Sequence, residues 1–137
     1  MKLSTRSRYG TRMMLDLAQR YNKGPVQIGQ IAKRQDISVK YLEQLVIPLK
    51  KAKFIESVRG PKGGHMLAKG PREITVGQVV EVLEGDMHLS VCLGDAEVCE
   101  RSEDCLIRDI WEEATKAMFD KLDSITLAKI IKSKKHC

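Results

Sequence analysis

The sequence predicts a mainly α-helical fold that contains one short β-hairpin, and three observations support this prediction. Apolar residues recur at three- and four-residue spacing in several stretches, which is the periodicity of amphipathic helices. Between two of these stretches lie two short runs of β-prone residues joined by a glycine-rich turn. The chain of 137 residues is 42% hydrophobic, enough for one core but not for two independent ones. We therefore expect a single domain with an added arm for self-association.

The first predicted helix covers residues 7–21, where Met13, Met14 and Leu17 lie on one face, and Gly24-Pro25 ends it. A helix-turn-helix pair follows. Its first helix covers residues 28–34, and its second begins after the N-cap candidate Ser38. The second helix has one apolar face, formed by Leu42, Leu45, Val46 and Leu49. Pro48 removes one backbone hydrogen bond there, so we expect a kink or a loosened last turn.

The predicted hairpin consists of a strand at residues 54–59, a turn at 60–64 and a returning strand at 65–68. A helix-turn-helix followed by a glycine-rich, basic hairpin is typical of a winged helix-turn-helix domain, in which the hairpin is the wing. We assign residues 1–72 to this DNA-binding region.

The second half of the chain is predicted to contain a connecting helix, a cysteine-bearing segment and a helix for dimerisation. Thr75 and Gln78 form a capping box for a connecting helix within residues 73–85, which Gly85 ends. Residues 86–105 lose all periodicity. A long helix follows within residues 106–137, and Thr126 caps a shorter one. The helix around Trp111 is too apolar to remain in water, so we expect it to form the seam of a homodimer.

Charge divides the chain into two unlike halves. Residues 1–72 carry 16 basic and 4 acidic residues, a net charge of +12, whereas residues 73–137 carry 8 and 14, a net charge of −6. A concentrated positive region attracts a polyanion such as double-stranded DNA. We expect DNA contact in the N-terminal half, and the alternative is a solvated basic surface. The first twelve residues are too polar for a signal peptide and no apolar run approaches the roughly 20 residues of a membrane span, so we expect a cytoplasmic protein.

The polar face of the second helix of the pair is predicted to read DNA bases. Gln44 can bond adenine, Lys40 can bond guanine or a phosphate, and Glu43 can accept from cytosine while repelling guanine edges. Arg59 is placed to enter a narrow minor groove. Each of these side chains alone could equally be solvated surface, but together they favour a DNA interface. The predicted DNA-binding set is Ser4, Arg6, Tyr9, Ser38, Lys40, Tyr41, Glu43, Gln44, Arg59, Gly60, Pro61 and Lys62.

Three of the four cysteines, Cys92, Cys99 and Cys105, lie in the aperiodic segment with the spacing C-x6-C-x5-C. In a reducing compartment such a group indicates metal or redox chemistry more than disulfides. The chain has neither the C-x2-C spacing nor the second cysteine pair of a zinc ribbon, so an iron-sulphur cluster fits better than zinc. Cys137 is expected to be an unligated thiol at a frayed end.

Four stretches carry a resemblance to a known family: MKLSTRSRYGTRMMLDLA, ISVKYLEQLVIPLKKA, SVRGPKGGHMLAK and C-x6-C-x5-CLIRDIW. Together they resemble the IscR-type (Rrf family) regulators, which include IscR, NsrR and RirA, over essentially the whole chain. The resemblance implies a homodimeric winged-helix repressor with a palindromic operator. It also implies an iron-sulphur cluster, 2Fe–2S in preference to 4Fe–4S. The family's cluster thiolates map to Cys92, Cys99 and Cys105, and its DNA-reading residues map to Ser38, Lys40, Tyr41, Glu43, Gln44 and Arg59.

The sequence departs from the family at the fourth cluster ligand. Arg108 stands where some members have a histidine, and Arg8 stands where others have an aspartate. A guanidinium is a poor ligand because it stays protonated. The fourth donor is therefore His88, a carboxylate such as Asp104 or Asp109, a small molecule, or absent.

These observations predict a transcriptional regulator that senses iron-sulphur cluster status and controls cluster assembly or related stress genes. Cluster binding is expected to order residues 86–105 against a recognition helix and so to set operator affinity. The alternatives are a cluster-free family member that controls cysteine or sulphur metabolism, and a nitric-oxide or iron sensor. A thiol redox enzyme is disfavoured, because no resolving cysteine stands in a C-x2-C pair. We expect no enzymatic activity.

Overall fold

The computed structural model describes residues 2–133, and within them it contains seven α-helices, one 3-10 turn and a two-stranded antiparallel sheet. The predicted mainly α fold with a hairpin wing is confirmed. The elements in chain order are α1 (Thr5–Gln19), α2 (Ile28–Gln35), α3 (Val39–Lys51), β1 (Ile55–Val58), β2 (Gly64–Leu67), α4 (Val76–Glu84), α5 (Val91–Gly94), a 3-10 turn (Ala96–Val98), α6 (Arg108–Asp123) and α7 (Leu127–Lys132).

Side-chain caps fix where the helices begin. Ser38 accepts a hydrogen bond from the amide of Tyr41 at 3.1 Å, and Thr126 accepts one from that of Lys129 at 3.1 Å. Thr75 and Gln78 form the predicted reciprocal capping box. Ser4 also caps α1, which therefore begins and ends two residues earlier than predicted.

Of the two outcomes expected at Pro48, a kink or a loosened last turn, the loosened turn is wrong. Helix α3 continues through Pro48 to Lys51, and the amide of Ala52 bonds to the Pro48 carbonyl at 3.0 Å, so the last turn is closed. Leu45 and Leu49, which are 1% and 0% exposed, hold this turn in the core. The bond that proline removes would have joined the carbonyl of Gln44, on the exposed face of the helix.

The hairpin is tied to the helices by contacts that the sequence did not predict. Strands β1 and β2 pair with Ile55 opposite Leu67 and Ser57 opposite His65. His65 also pairs with Val26, in the loop between α1 and α2, through two backbone hydrogen bonds of 2.8 Å. Strand β2 is therefore paired on both sides at His65, with β1 on one side and with the loop before α2 on the other.

One hydrophobic core joins both halves of the chain. Side chains from α1, α3, β1 and α4 meet in it, and α7 folds back so that Leu127 is fully buried. The amide of Leu127 bonds to the Ile74 carbonyl at 2.9 Å, and that of Val76 bonds to the Ile125 carbonyl at 2.8 Å. Within the described residues, no helix is long and apolar enough to cross a membrane.

Candidate functional site

Helix α3 presents the predicted DNA-reading residues on the side opposite the core. Leu42, Leu45, Val46 and Leu49 are buried, whereas Lys40, Glu43 and Gln44 are exposed. With 3.6 residues per turn, these three side chains lie on one face near the start of the helix. That face is polar and accessible, as a helix entering a major groove requires.

Two tyrosines of the predicted DNA set pack on each other within the protein. The rings of Tyr9 in α1 and Tyr41 in α3 meet edge to face, with centroids 5.8 Å apart, and both side chains are half-buried. The guanidinium of Arg12 lies 5.5 Å from the centre of the Tyr9 ring and bonds to Gln35 at the end of α2. These contacts join α1, α2 and α3, so the tyrosines position the reading helix as well as bordering its exposed face.

A buried carboxylate, missed by the sequence analysis, fixes the first two helices against each other. Asp16 of α1 is 2% exposed and accepts hydrogen bonds from Arg34 and Gln35 of α2 and from Arg20. Burial acts to raise the pKa of Asp16, but these hydrogen bonds and the charges of Arg20 and Arg34 outweigh it and hold the pKa below its usual value. The sequence does contain a sign of this contact. Asp16 is an acidic residue next to the apolar stripe of α1, and residues 1–72 contain only four acidic residues.

The wing exposes Arg59, Gly60, Pro61 and Lys62 at its tip. Gly60 has φ 112°, a left-handed backbone that glycine adopts without strain. The Pro61 carbonyl accepts a hydrogen bond of 3.3 Å from Gln27, so the tip is held toward α2. Arg59 and Lys62 are therefore displayed on a supported turn on the basic half of the chain.

His65 of β2 makes contacts within the wing. Its Nδ1 lies 2.8 Å from the Ser57 hydroxyl, and its side chain is half-buried. Burial and the charge of Lys50 lower the pKa of His65. The ring is therefore neutral near pH 7 and its contacts are structural.

The N-terminal residues of the predicted set have different environments. Arg6 is exposed and available to a phosphate. Ser4 is half-buried: its hydroxyl caps α1, and its amide donates to the Glu84 carboxylate at 2.7 Å. The hydrogen bonds from Ser4 lower the pKa of Glu84. Glu84, the last residue of α4, was not singled out from the sequence, and its contact joins the start of α1 to the helix that precedes the cysteine segment.

The cysteine segment is held by few long-range contacts. The amide of Leu89 bonds to the buried Thr115 hydroxyl of α6 at 3.2 Å. Farther along, hydrogen bonds join near neighbours, as from the Ser102 hydroxyl to the Ala96 carbonyl at 3.0 Å. The segment was expected to be irregular, and it contains only α5 and the 3-10 turn.

Cys92, Cys99 and Cys105 are free thiols, each half-buried, and the Cys92 sulphur lies 3.1 Å from the Ser90 hydroxyl. Within residues 2–133, no three histidine, cysteine or acidic side chains are close enough to share one metal ion. The side chain of His88 lies against Gly94 at the end of α5. The chemistry of the donors suits iron and sulphide, but the thiols are not gathered in this conformation. Cys137 lies outside the described residues.

An apolar surface remains uncovered around the start of α6. Leu106 is 97% exposed, and Ile107, Ile110 and Trp111 are 40–49% exposed. Leu89, Val91 and Val98 of the cysteine segment are also exposed. A cluster of large apolar side chains in water marks an interaction surface.

A helix-turn-helix pair, a supported basic wing and an accessible polar reading face together define a winged helix-turn-helix DNA-binding transcriptional regulator. Residues 3–133 match the family described as Rrf2, iron-dependent transcriptional regulator, and the chain belongs to this family. It is 49% identical to the protein rrf2 of Nitratidesulfovibrio vulgaris, over the whole of this chain and 91% of that one. It is 37% identical to the transcriptional regulator IscR of Pectobacterium atrosepticum, over 98% of this chain and 81% of that one.

Two solved structures resemble the fold. IscR of T. potens superposes with a TM-score of 0.77 at 41% identity, over 98% of this chain and 89% of that one. CymR, the global cysteine regulator of B. subtilis, superposes with a TM-score of 0.82 at 36% identity, over 98% and 99% of the two chains. The protein is thus a transcriptional regulator and not an enzyme, as the sequence predicted.

Proposed function

We propose that the protein is a homodimeric repressor that binds a palindromic operator through α3 and the wing. The observation that carries this proposal is the reading face of α3, with Lys40, Glu43 and Gln44 exposed beside a supported wing in a half-chain of charge +12. Arg59 and Lys62 would contact the groove and backbone next to it. A regulator bound to chromosomal operators would act in the cytoplasm.

The apolar surface at the start of α6 would be the dimer seam. Leu106, Ile107, Ile110 and Trp111 are exposed, and burying them against a second copy would remove their apolar surface from water, which favours association. A two-fold dimer presents two reading helices, which matches half-sites about one helical turn apart.

Cys92, Cys99 and Cys105 would hold an iron-sulphur cluster, 2Fe–2S in preference to 4Fe–4S, and its occupancy would set operator affinity. Three half-buried free thiols within fourteen residues supply the donors that iron-sulphur clusters take. The local character of the hydrogen bonds in this segment supports the rearrangement that would gather them. Similarity to IscR and the family's iron dependence also support the assignment. The regulated genes would be those of cluster assembly or related stress responses, with nitric oxide or iron supply as alternative signals.

A second candidate function is regulation of cysteine metabolism without a cluster. It is favoured by the similarity to CymR and by the separation of the three thiols in this structure. In that case the cysteines are incidental to the signal.

Anaerobic purification of the full chain separates the two candidates. A coloured protein with iron and sulphide near stoichiometry, and with a Mössbauer or electron paramagnetic resonance signature, supports the cluster sensor. A colourless protein that still binds an operator supports the second candidate.

A second experiment tests the switch. Wild type and the variant in which Cys92, Cys99 and Cys105 are replaced by alanine are titrated with an operator selected in vitro. Different affinities with and without cluster support the switch, and equal affinities contradict it. Ser133→Ala, outside the segment, is the control.

A further inference from the structure

One apolar side chain lies in the middle of the DNA-facing surface of α3. Ile47 is 68% exposed, whereas the other exposed large apolar residues of the first 72 residues are 39–44% exposed. It lies seven residues after Lys40 and four after Glu43, so all three side chains point the same way. The buried residues Leu45 and Leu49 point to the opposite side. Most of the Ile47 side chain is therefore available to a partner.

We infer that Ile47 is a specificity-determining residue that contacts the C5-methyl group of a thymine in each half-site. The inference rests on the proposed placement of α3 in the major groove. Among the base edges exposed in that groove, the thymine methyl is the apolar group, and apolar side chains recognise it by contact. Lys40, Glu43 and Gln44 end in polar or charged groups, which bind polar base edges or phosphates. Ile47 would therefore recognise thymine, which these three residues do not recognise by its methyl group.

The geometry of the helix suits this contact. From Lys40 to Ile47 the helix axis advances roughly 10 Å. This distance spans about three base pairs at 3.4 Å each. Isoleucine is stiff at χ1 in a helix, so it loses little rotamer freedom when it meets the methyl group. Ile47 would therefore read a thymine at most about three base pairs from the base pair nearest Lys40, because the helix advance along the DNA axis is greatest when the two axes are parallel.

The test removes the methyl group from the DNA and the side chain from the protein in turn. An operator is first selected from random duplexes with the wild-type protein, and each thymine of a half-site is then replaced by deoxyuridine, which pairs identically but lacks the methyl. Dissociation constants are measured at fixed salt. Loss of one methyl contact should weaken wild-type binding about fourfold per half-site at one thymine position. In Ile47→Ala the same replacement should have no effect, and in Ile47→Val it should have an intermediate one.

Lys51→Ala is the matched control, because Lys51 is exposed on the same face one turn later. Lys51→Ala should weaken binding to the thymine operator and to the deoxyuridine operator by the same factor. The fourfold difference in dissociation constant between the two operators should remain. The inference is overturned if wild type shows no methyl effect at any thymine, or if Ile47→Ala retains it. Lys40→Ala and Gln44→Ala distinguish a failure of the role of Ile47 from a failure of the proposed placement of α3 in the major groove. If these variants lose affinity while the methyl effect is absent, only the role of Ile47 fails; if they bind normally, the placement of α3 in the groove fails.

Discussion

Asp16 and Arg34 form a two-point contact between α1 and α2: Nε of Arg34 lies 3.0 Å from one carboxylate oxygen of Asp16, and Nη2 lies 2.8 Å from the other. The Asp16 side chain is 1% exposed, whereas that of Arg34 is 33% exposed. The acid is thus removed from water and depends on its partners, while the base remains partly hydrated. The pair joins α1 to α2, the first helix of the helix-turn-helix pair.

Asp16→Asn should lower the free energy of unfolding by about 2 kcal/mol at pH 7, because it replaces charge-assisted hydrogen bonds with neutral ones. Urea denaturation measures this change. Asp120→Asn is the control, since Asp120 forms an ion pair of 2.8 Å with Lys116 that is exposed on both sides. It should change stability by less than about 0.5 kcal/mol. Equal losses in the two variants would contradict a structural role for Asp16.

The same contact predicts a pH dependence of stability. The pKa of Asp16 is lower in the folded protein than its ordinary value, so its contribution is complete above about pH 4 and is lost as pH falls through the folded pKa. The stability difference between wild type and Asp16→Asn should therefore shrink below about pH 4. A difference that stays constant down to pH 3 would show that the carboxylate charge is not what stabilises the contact.

The fold could be predicted from sequence where local patterns and tertiary packing agree. Ser38, Thr75 and Thr126 cap the helices for which they were chosen, because a hydroxyl next to an apolar stripe satisfies amide groups that every helix start leaves free. Pro48 shows the limit of local reasoning, because Leu45 and Leu49 hold in the core a turn that proline alone would loosen.

The exposed positions of the candidate site could be predicted from the sequence, whereas the hydrogen bonds that hold its helices together could not. Lys40, Glu43 and Gln44 follow from helical periodicity. The bond from Ser4 to Glu84 joins residues 80 positions apart, and no local pattern encodes such a pair. The spacing of Cys92, Cys99 and Cys105 and the resemblance to a family predict that they are cluster ligands, and this stays a prediction. Their positions in this structure depend on the path of an irregular segment, for which the sequence offers no periodicity.

Packing between α4 and the end of α6 requires a glycine. A Cβ atom at Gly77 would lie 2.9 Å from the backbone nitrogen of Asp123. A backbone atom cannot relieve this clash by changing rotamer, as a side chain could. Gly77→Ala should therefore lower the free energy of unfolding by about 1–3 kcal/mol, as overpacking does. Gly29→Ala is the control: it lies in α2 with no atom within 4 Å of the added methyl, and should be neutral or stabilise by about 0.5 kcal/mol. Thermal unfolding of both variants measures the difference in stability between them. Equal stability of Gly77→Ala and Gly29→Ala would show that α4 and α6 can move apart to accommodate the methyl group.

The exposed apolar surface of α6 predicts the oligomeric state. Ile110→Glu places a charge among Leu106, Ile107 and Trp111, and burying an unpaired charge costs several kcal/mol, so the variant should be monomeric at micromolar concentration. Lys116→Glu, on another side of the same helix, should remain dimeric. Sedimentation velocity distinguishes the two. If Ile110→Glu remains a dimer, the seam lies elsewhere.

Phosphate contacts by the wing should be visible in the salt dependence of binding. Each phosphate neutralised by a cation contributes about 0.9 to the slope of log affinity against log salt, because counterions leave the DNA. Lys62 is exposed at the wing tip, so Lys62→Ala should weaken binding to operator and to unrelated duplex alike and reduce the slope by about 0.9 per half-site. Lys116→Ala, in the acidic half, should leave the slope unchanged. Fluorescence anisotropy from about 50 to 200 mM salt measures both. An unchanged slope in Lys62→Ala would remove Lys62 from the phosphate contacts, since an exposed lysine at a phosphate cannot be deleted without changing the number of released ions.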